Sequence, residues 1–323
     1  MKAVRIHRYG DIDTLSYEDA PLPEPGPADV RIRVHAAAVN PVDWKIRAGY
    51  LAAMIPYQMP LTIGWDVSGV VDQIGAEVTG VSVGDAVYSR PDIMRNGTYA
   101  EYAVVRASEV AAKPQSLSHH EAAAVPLAGL TAWQALFNHA QLKAGERVLI
   151  HAGAGGVGSF AIQFAKWAGA HVITTASASN AELVRDLGAD EFVDYRSQRF
   201  ESVLDKVDVV LDTIGGDTQL RSIALLRQGG RLFSVVATPD GAALTSAGAT
   251  GGMLMVQPSS DDLARIAELI DAGSVRVIID SVFPLSQVRA AHAKSQTGRA
   301  RGKIVLEVIS DDRSRHADDA RQA

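Results

Sequence analysis

The sequence predicts an α/β protein of two domains, a compact β-rich barrel and a doubly wound parallel sheet. Three observations predict it. Short, glycine-punctuated strands fill the first third, Ala-rich helical stretches alternate with apolar strands from about Glu121, and one of those strands runs into a G-x-G-x-x-G loop.

In the first third, Val30-Arg31-Ile32-Arg33-Val34-His35 alternates side chains between the two faces of a sheet, and Pro21 to Pro27 is a rigid connector. Glycines at 64, 69, 75, 80, 84 and 97 punctuate further short strands, which suits a strongly curved barrel. Beyond Glu121, the strands are Arg147–Ile150, His171–Ile173, Val207–Leu211 and Arg231–Ser234, separated by helical stretches, and this alternation implies a parallel sheet. The stretch Asp240 to Gly252 reads as a mobile loop. A helix is expected at Ser260–Asp271, strands at Val275–Ile279 and Lys303–Val308, and a disordered charged tail from Ser310. The expected domains are 1–123 with 273–323, and 124–272.

With 47% hydrophobic residues in 323, the chain can bury two cores. A net charge of -6 offers no general attraction to nucleic acid or anionic membranes. No run approaches the roughly 20 apolar residues of a membrane span, and Met1 to Asp11 lacks the apolar core of a secretion signal, so a cytoplasmic location is expected. The absence of cysteine removes disulfides, thiolate nucleophiles and cysteine-ligated zinc.

In the segment from Val148 to Lys166 an apolar strand leads into Gly153-Ala154-Gly155-Gly156-Val157-Gly158 and then an amphipathic helix, the context of a Rossmann dinucleotide site. Gly153 would permit the turn, Gly155 the approach of a pyrophosphate and Gly158 close helix packing, with helix N-terminal amides facing phosphate. An NAD-preferring site places Asp or Glu at the end of the second strand. Here the segment reads Val172-Ile173-Thr174-Thr175-Ala176-Ser177, so the expected cofactor is NADPH, with Ser177 and nearby main-chain amides bonding the 2′-phosphate, Tyr195 and Arg196 arriving from the next strand end, and Thr175 a further cofactor contact. The plainer alternative is that Ser177 caps a helix beginning near Asn180 and Tyr195 packs at a strand end.

Further segments carry a family pattern: Asn40-Pro41-Val42-Asp43 with Arg47 and Gly49, Gly64-Trp65-Asp66, Gly84-Asp85, Gly97 to Tyr102, Pro126 to Ala132, Leu187-Gly188-Ala189-Asp190, Asp212 to Gly216, and Gly302-Lys303-Ile304-Val305-Leu306. In this order they resemble the medium-chain dehydrogenase/reductase superfamily, and within it the zinc-free quinone oxidoreductase, or ζ-crystallin-like, branch, over nearly the whole chain. The resemblance implies a GroES-like catalytic domain, a Rossmann domain, and a cofactor in the cleft between them with its nicotinamide near Asn40, Thr131, Ile214 and Ser234. It also implies a homodimer paired through the Rossmann domains. Many relatives carry a lysine shortly after the second strand, where this chain has Asn180.

Zinc-dependent relatives use a Gly-His-Glu segment and cysteines; Trp65 and the missing cysteines leave no ligand set, so no metal is expected. The nine histidines show no metal-ligand spacing, and His119, His120 and His151 read as surface or structural residues. The remaining chemistry is reduction of a quinone, or of an α,β-unsaturated carbonyl (an enone or alkenal), for which the protein aligns the acceptor and stabilises charge on its oxygen. Tyr50 and Lys45, in the loop that by resemblance faces the cleft, are the expected proton donors. Asp66 is read as structural, with a catalytic role the alternative. A non-catalytic NADPH-binding protein, structural or redox-sensing, and an enoyl-thioester reductase are the competing functions.

Overall fold

In β1 (Lys2–Ile6) Val4 and Ile6 share the core face, Ala3 is buried on the opposite face, and Lys2 and Arg5 stay half-buried. There follow β2 (Ser16–Asp19), β3 (Asp29–Val39), β4 (Leu61–Thr62), β5 (Val67–Ile74), β6 (Ala86–Ser89), β7 (Tyr102–Arg106) and β8 (Val110–Ala112). β1 sits between β2 and β4 in a small antiparallel sheet, while β3 pairs with both β5 and β7, and β5 continues through β6 to β8. The structure, a computed structural model, describes residues 1–309. The tail expected to be disordered from Ser310 lies outside the described residues.

The second unit, Ala128–Gln257 with Ala272–Arg276, is a parallel sheet. Its strands are β9 (Arg147–Ile150), β10 (His171–Ala176), β11 (Glu191–Asp194), β12 (Val207–Asp212), β13 (Leu226–Ser234) and β14 (Thr250–Met253), in spatial order β11-β10-β9-β12-β13-β14. Chain order reverses between β9 and β12, which is the topological switch point of a doubly wound sheet. The centre is apolar throughout: Leu149, Ile173, Val210 and Leu232 are fully buried.

The chain then returns to the first unit, where β15 (Ile279–Pro284) pairs with β16 (Lys303–Glu307), and β16 pairs antiparallel with β3. No helix among the described residues is long and apolar enough to cross a membrane.

Three expectations differ. The stretch Asp240 to Gly252, expected to be a mobile loop, forms the helix Gly241–Ser246, capped by Asp240 Oδ1 accepting from the amides of Ala242 and Ala243 (2.8 and 3.0 Å), and then β14. Its glycines serve packing: a Cβ on Gly251 would lie 2.0 Å from the Leu232 carbonyl oxygen. Residues 275–278 are not a strand, and β15 starts at Ile279. The helix Ser260–Asp271, expected in the second domain, belongs to the first unit: Tyr88 Oη donates to the Leu263 carbonyl (2.5 Å), and Asp271 accepts from the amides of Gln115 and Ser116 (3.0 and 2.9 Å).

Gly64 illustrates how tightly the first unit closes. Its φ is +93°, and a Cβ there would lie 2.1 Å from the buried Tyr99 ring. Gly64→Ala is expected to cost at least ~3 kcal/mol, combining left-handed strain with a core clash, as read by urea unfolding.

Candidate functional site

In the second unit, β9 ends at Ile150, Ala152 takes a positive φ of 53°, and the helix Gly156–Trp167 begins directly after Gly155. The three fingerprint glycines have different causes. A Cβ on Gly153 would stand 2.1 Å from Thr174 Oγ1, and one on Gly158 would stand 2.3 Å from the Ala152 carbonyl oxygen, so the chain's own packing forbids side chains there. A Cβ on Gly155 would meet only the Ala152 carbonyl oxygen, at 3.3 Å. Its open face is a cradle that the protein itself does not fill. The first intrahelical bond runs from Ser159 N to Gly155 O (2.9 Å), which leaves the amides of Gly156, Val157 and Gly158 ahead of it without an intrahelical acceptor. Gly155, Gly156 and Val157 are accessible, while Gly153, Ala154 and Gly158 are buried. This arrangement fits a pyrophosphate.

Beneath the loop, buried polar groups fix its course. His151 bonds Thr175 Oγ1 through Nδ1 (3.0 Å) and Ser222 Oγ through Nε2 (2.8 Å), and burial pulls its pKa down to about 4, so the ring is neutral. Thr175 Oγ1 also accepts from the Ala152 amide, and its carbonyl accepts from Gly153 N (3.0 Å). At the end of β12, Asp212 is fully buried. It accepts from the amides of Ile214 and Gly215 and from Gln219 Nε2 (each 2.9 Å), and from Ser234 Oγ (2.8 Å).

Thr175 and Ser234, expected as cofactor ligands, therefore have their hydroxyls committed inward and shape the strand ends. Ile214 is exposed on the turn that Asp212 fixes, and Thr131 is buried in the helix Pro126–Trp133.

Past β10, Ser177 heads a 3-10 turn, Ala178–Asn180, with no side-chain cap bond, so its hydroxyl is not spent on capping. It bonds Ser179 Oγ (3.0 Å) and accepts from Asn180 Nδ2 (3.2 Å). Tyr195 is exposed, with the Arg196 guanidinium 5.8 Å from its ring centroid. The carboxylate nearest in register, Asp194 opposite Ala176, holds Arg196 N (3.1 Å) and Ser197 Oγ (2.9 Å).

In the first unit a largely buried network joins five of the segments singled out above. Asp66 accepts from Leu127 N (2.6 Å), Asn40 Nδ2 (2.8 Å) and Lys303 Nζ (3.0 Å), and Lys303 also donates to Asn40 Oδ1. Asp43 Oδ2 accepts from Asn40 N (2.7 Å) and Tyr99 Oη (2.6 Å), while its Oδ1 has no partner. Burial pushes the Asp66 carboxyl up, opposed chiefly by the Lys303 ammonium, and pushes Asp43 up to about 7. Asp66 thus has both carboxylate oxygens bonded within the chain. Asn40, expected beside a nicotinamide, has both ends of its amide held inside this network, because it must satisfy the buried pair. Tyr50 is 72% exposed, edge-on to Trp44, and Lys45 lies over the Trp44 ring at 5.8 Å; among the described residues neither the Tyr50 hydroxyl nor the Lys45 ammonium makes a hydrogen bond.

Residues 26–115 match the alcohol dehydrogenase GroES-like domain model, and residues 187–306 match the zinc-binding dehydrogenase model. The chain is 37% identical to the zebrafish mitochondrial NAD(P)H oxidoreductase RTN4IP1, over 96% of this chain and 92% of that protein. It belongs to the medium-chain dehydrogenase/reductase superfamily, in the zinc-free quinone oxidoreductase branch. Tomato 2-methylene-furan-3-one reductase is 38% identical, over 96% of this chain and 79% of its own length. The Escherichia coli quinone oxidoreductase solved with NADPH superposes with a TM-score of 0.87 at 26% identity, covering 95% of this chain and all of that one. The zinc of the family model's name finds no fit here. The buried indole of Trp65 is no ligand, and Asp66 is already bound by an ammonium and two amides.

Sequence reasoning quoted Lys303, Asp212 and Tyr99 only as parts of motifs and read His151 as a surface or structural residue, without the bonds that each makes here. A lysine inside the apolar run Ile304-Val305-Leu306 was the available signal.

With a folded pKa of about 7 against an ordinary 3.8, Asp43 contributes most to stability while protonated in both states, and that contribution declines as pH rises from about 4 to about 7. His151 and His292, pulled down to about 4 and about 3, act in the opposite sense below pH 6.5. Asp43→Asn keeps the histidine effects and is expected to gain on the wild type by on the order of 4 kcal/mol between pH 4 and 8, measured as the change in their stability difference by denaturant titration.

Proposed function

We propose that the protein reduces quinones or α,β-unsaturated carbonyl compounds with NADPH. The observation that carries this reading is the open face of Gly155 beside the accessible first turn of the helix Gly156–Trp167, in a chain whose β10 ends without a carboxylate. Relatives named as a quinone oxidoreductase and as a furanone reductase support the substrate class. When bound, NADPH supplies the hydride. Gly155, Gly156 and Val157 hold its pyrophosphate with main-chain amides, and Ser177, Tyr195 and Arg196 receive the 2′-phosphate. Exposed Ile214 offers an apolar contact for the nicotinamide. Thr175 and Ser234 keep the backbone of the loop and of the strand ends in place. Tyr50, exposed, and Lys45, half-buried over the Trp44 ring, relay the proton.

The test follows NADPH absorbance with 9,10-phenanthrenequinone, 1,4-naphthoquinone and a simple enone. Turnover is expected with at least one acceptor, with kcat/KM for NADPH at least ~10-fold above that for NADH, the effect of roughly one charge-assisted bond. Tight NADPH binding without oxidation of any acceptor would instead indicate a binding protein.

We also propose a homodimer through the second units. β14 pairs on one side only, with β13, and Met253 and Met255 are exposed at this open edge. Met253→Lys is expected to yield a monomer by light scattering where the wild type gives a dimer.

A further inference from the structure

His151 directly follows β9, the strand that lies between β10 and β12. Each of these three strands runs into a segment given to the cofactor above: the glycine loop after β9, Ser177 after β10 and Ile214 after β12. His151 is bonded to both neighbours of its strand. Its amide donates to the Leu211 carbonyl (3.1 Å) and its carbonyl accepts from Thr213 Oγ1 (3.0 Å), while its ring meets Thr175 on β10 and Ser222 on the helix Gly216–Ile223.

The partners of the ring fix where its one proton sits. Ser222 Oγ has a single hydrogen and donates it to the Thr218 carbonyl (2.7 Å), so it faces His151 Nε2 as an acceptor. Thr175 Oγ1 also has a single hydrogen, and it accepts from the Ala152 amide (3.3 Å). With the ring proton on Nε2, Thr175 donates to Nδ1 and every hydrogen of the group has an acceptor. With the proton on Nδ1, Thr175 Oγ1 would accept twice and its own hydrogen would meet no acceptor among the described residues.

Ala152 stands at the far end of these bonds. Its φ of +53° is left-handed, a value that only Gln141 shares among the described non-glycine residues, and an L side chain does not hold it unaided. The chain turns at this residue: Gly155 N donates to the Ala152 carbonyl (2.9 Å), and Gly153 N donates to the Thr175 carbonyl (3.0 Å). The orientation of Ala152 therefore sets that of the accessible amides that follow.

We infer that His151, as the Nε2–H tautomer, is a positioning residue of the cofactor site: through Thr175 it holds Ala152 left-handed and so aims the glycine-loop amides at the pyrophosphate. The inference deepens the NADPH reading above and rests on it. Two directed runs meet at the ring, Ala152 N–H to Thr175 O–H to Nδ1, and Nε2–H to Ser222 O–H to the Thr218 carbonyl, and in each run one donor polarises the next. His151 itself is 1% exposed and acts only through these neighbours.

The experiment compares wild type with His151→Asn, His151→Gln and His151→Leu. Asparagine Oδ1 stands where Nδ1 stands and can accept from Thr175, glutamine Nε2 stands where the ring Nε2 stands and can donate to Ser222, and leucine does neither. By fluorescence titration, the Kd for NADPH is expected to stay within threefold of the wild type in His151→Asn. It should rise at least ~10-fold in His151→Gln and His151→Leu, the effect of roughly one lost hydrogen bond to a buried partner. With a quinone at saturating NADPH, kcat should stay within threefold in all three, so that the loss falls on KM for NADPH. The ¹⁵N resonances of the ring in the ligand-free wild type should show Nε2 protonated and Nδ1 bare at pH 7.

A proton on Nδ1, a Kd within threefold of the wild type in His151→Leu, or affinities that follow Tm across the variants instead of the Thr175 bond each overturns the assignment. If the His151 variants do not fold, Thr175→Val removes the same link and is held to the same limits. A wild type that binds no NADPH defeats the cofactor reading and the positioning role with it, while a proton found on Nε2 leaves the hydrogen-bond chain standing.

Discussion

The ion pair between Asp66 and Lys303 holds the first unit in register, because it joins parts of the chain that no local interaction brings together. Asp66 stands just before β5, Lys303 opens β16, Asn40 precedes the helix Pro41–Arg47, and the Leu127 amide comes from the end of this unit's first segment. Two charges at 4% and 0% side-chain exposure are stable only when every lone pair and proton has a partner, and Asn40 supplies the bonds that the pair cannot make for itself. Losing either charge would leave the other buried and uncompensated. The same requirement explains why Asn40 turns inward and why Gly302 must be glycine: a Cβ there would lie 2.1 Å from the Ile278 carbonyl oxygen, and Lys303 N donates to that oxygen.

The second unit solves a related problem with neutral groups. A loop that presents main-chain amides needs its own backbone fixed from below, and here His151, Thr175, Ser222, Asp212 and Ser234 provide that support without an exposed charge. Preorganised amides lose little on meeting a phosphate, since the ordering has been done by folding.

Much of this was legible in the residues. The 3.6- and 2-residue periodicities placed β3, β9, β10, β12 and the helix Ser260–Asp271 close to where they lie, because those segments bury one consistent face. The glycine loop was legible because strand, loop and helix occur together. The stretch from Asp240 to Gly252 was misread because small residues signal both a loop and a strand that a neighbouring backbone approaches closely, and only the carbonyl of Leu232 against Gly251 separates the two. The helix Ser260–Asp271 was rightly placed in the chain but in the other unit, since its partners Tyr88 and Ser116 are well over a hundred residues away.

Composition and pattern were enough to establish an α/β chain with a dinucleotide loop, no carboxylate at the end of β10 and no residues for a zinc site, because these depend on residue type and short spacing. Which polar side chains are bonded inward was decided by the fold. Asn40, Thr175 and Ser234 read as cofactor contacts in the sequence and have polar atoms committed to the chain's own hydrogen bonds, while Arg90 and Lys303 look like ordinary surface cations and are buried. The reason is that burial and pairing are set by contacts between distant segments, and a desolvated charge is recognisable only when all of its neighbours are known.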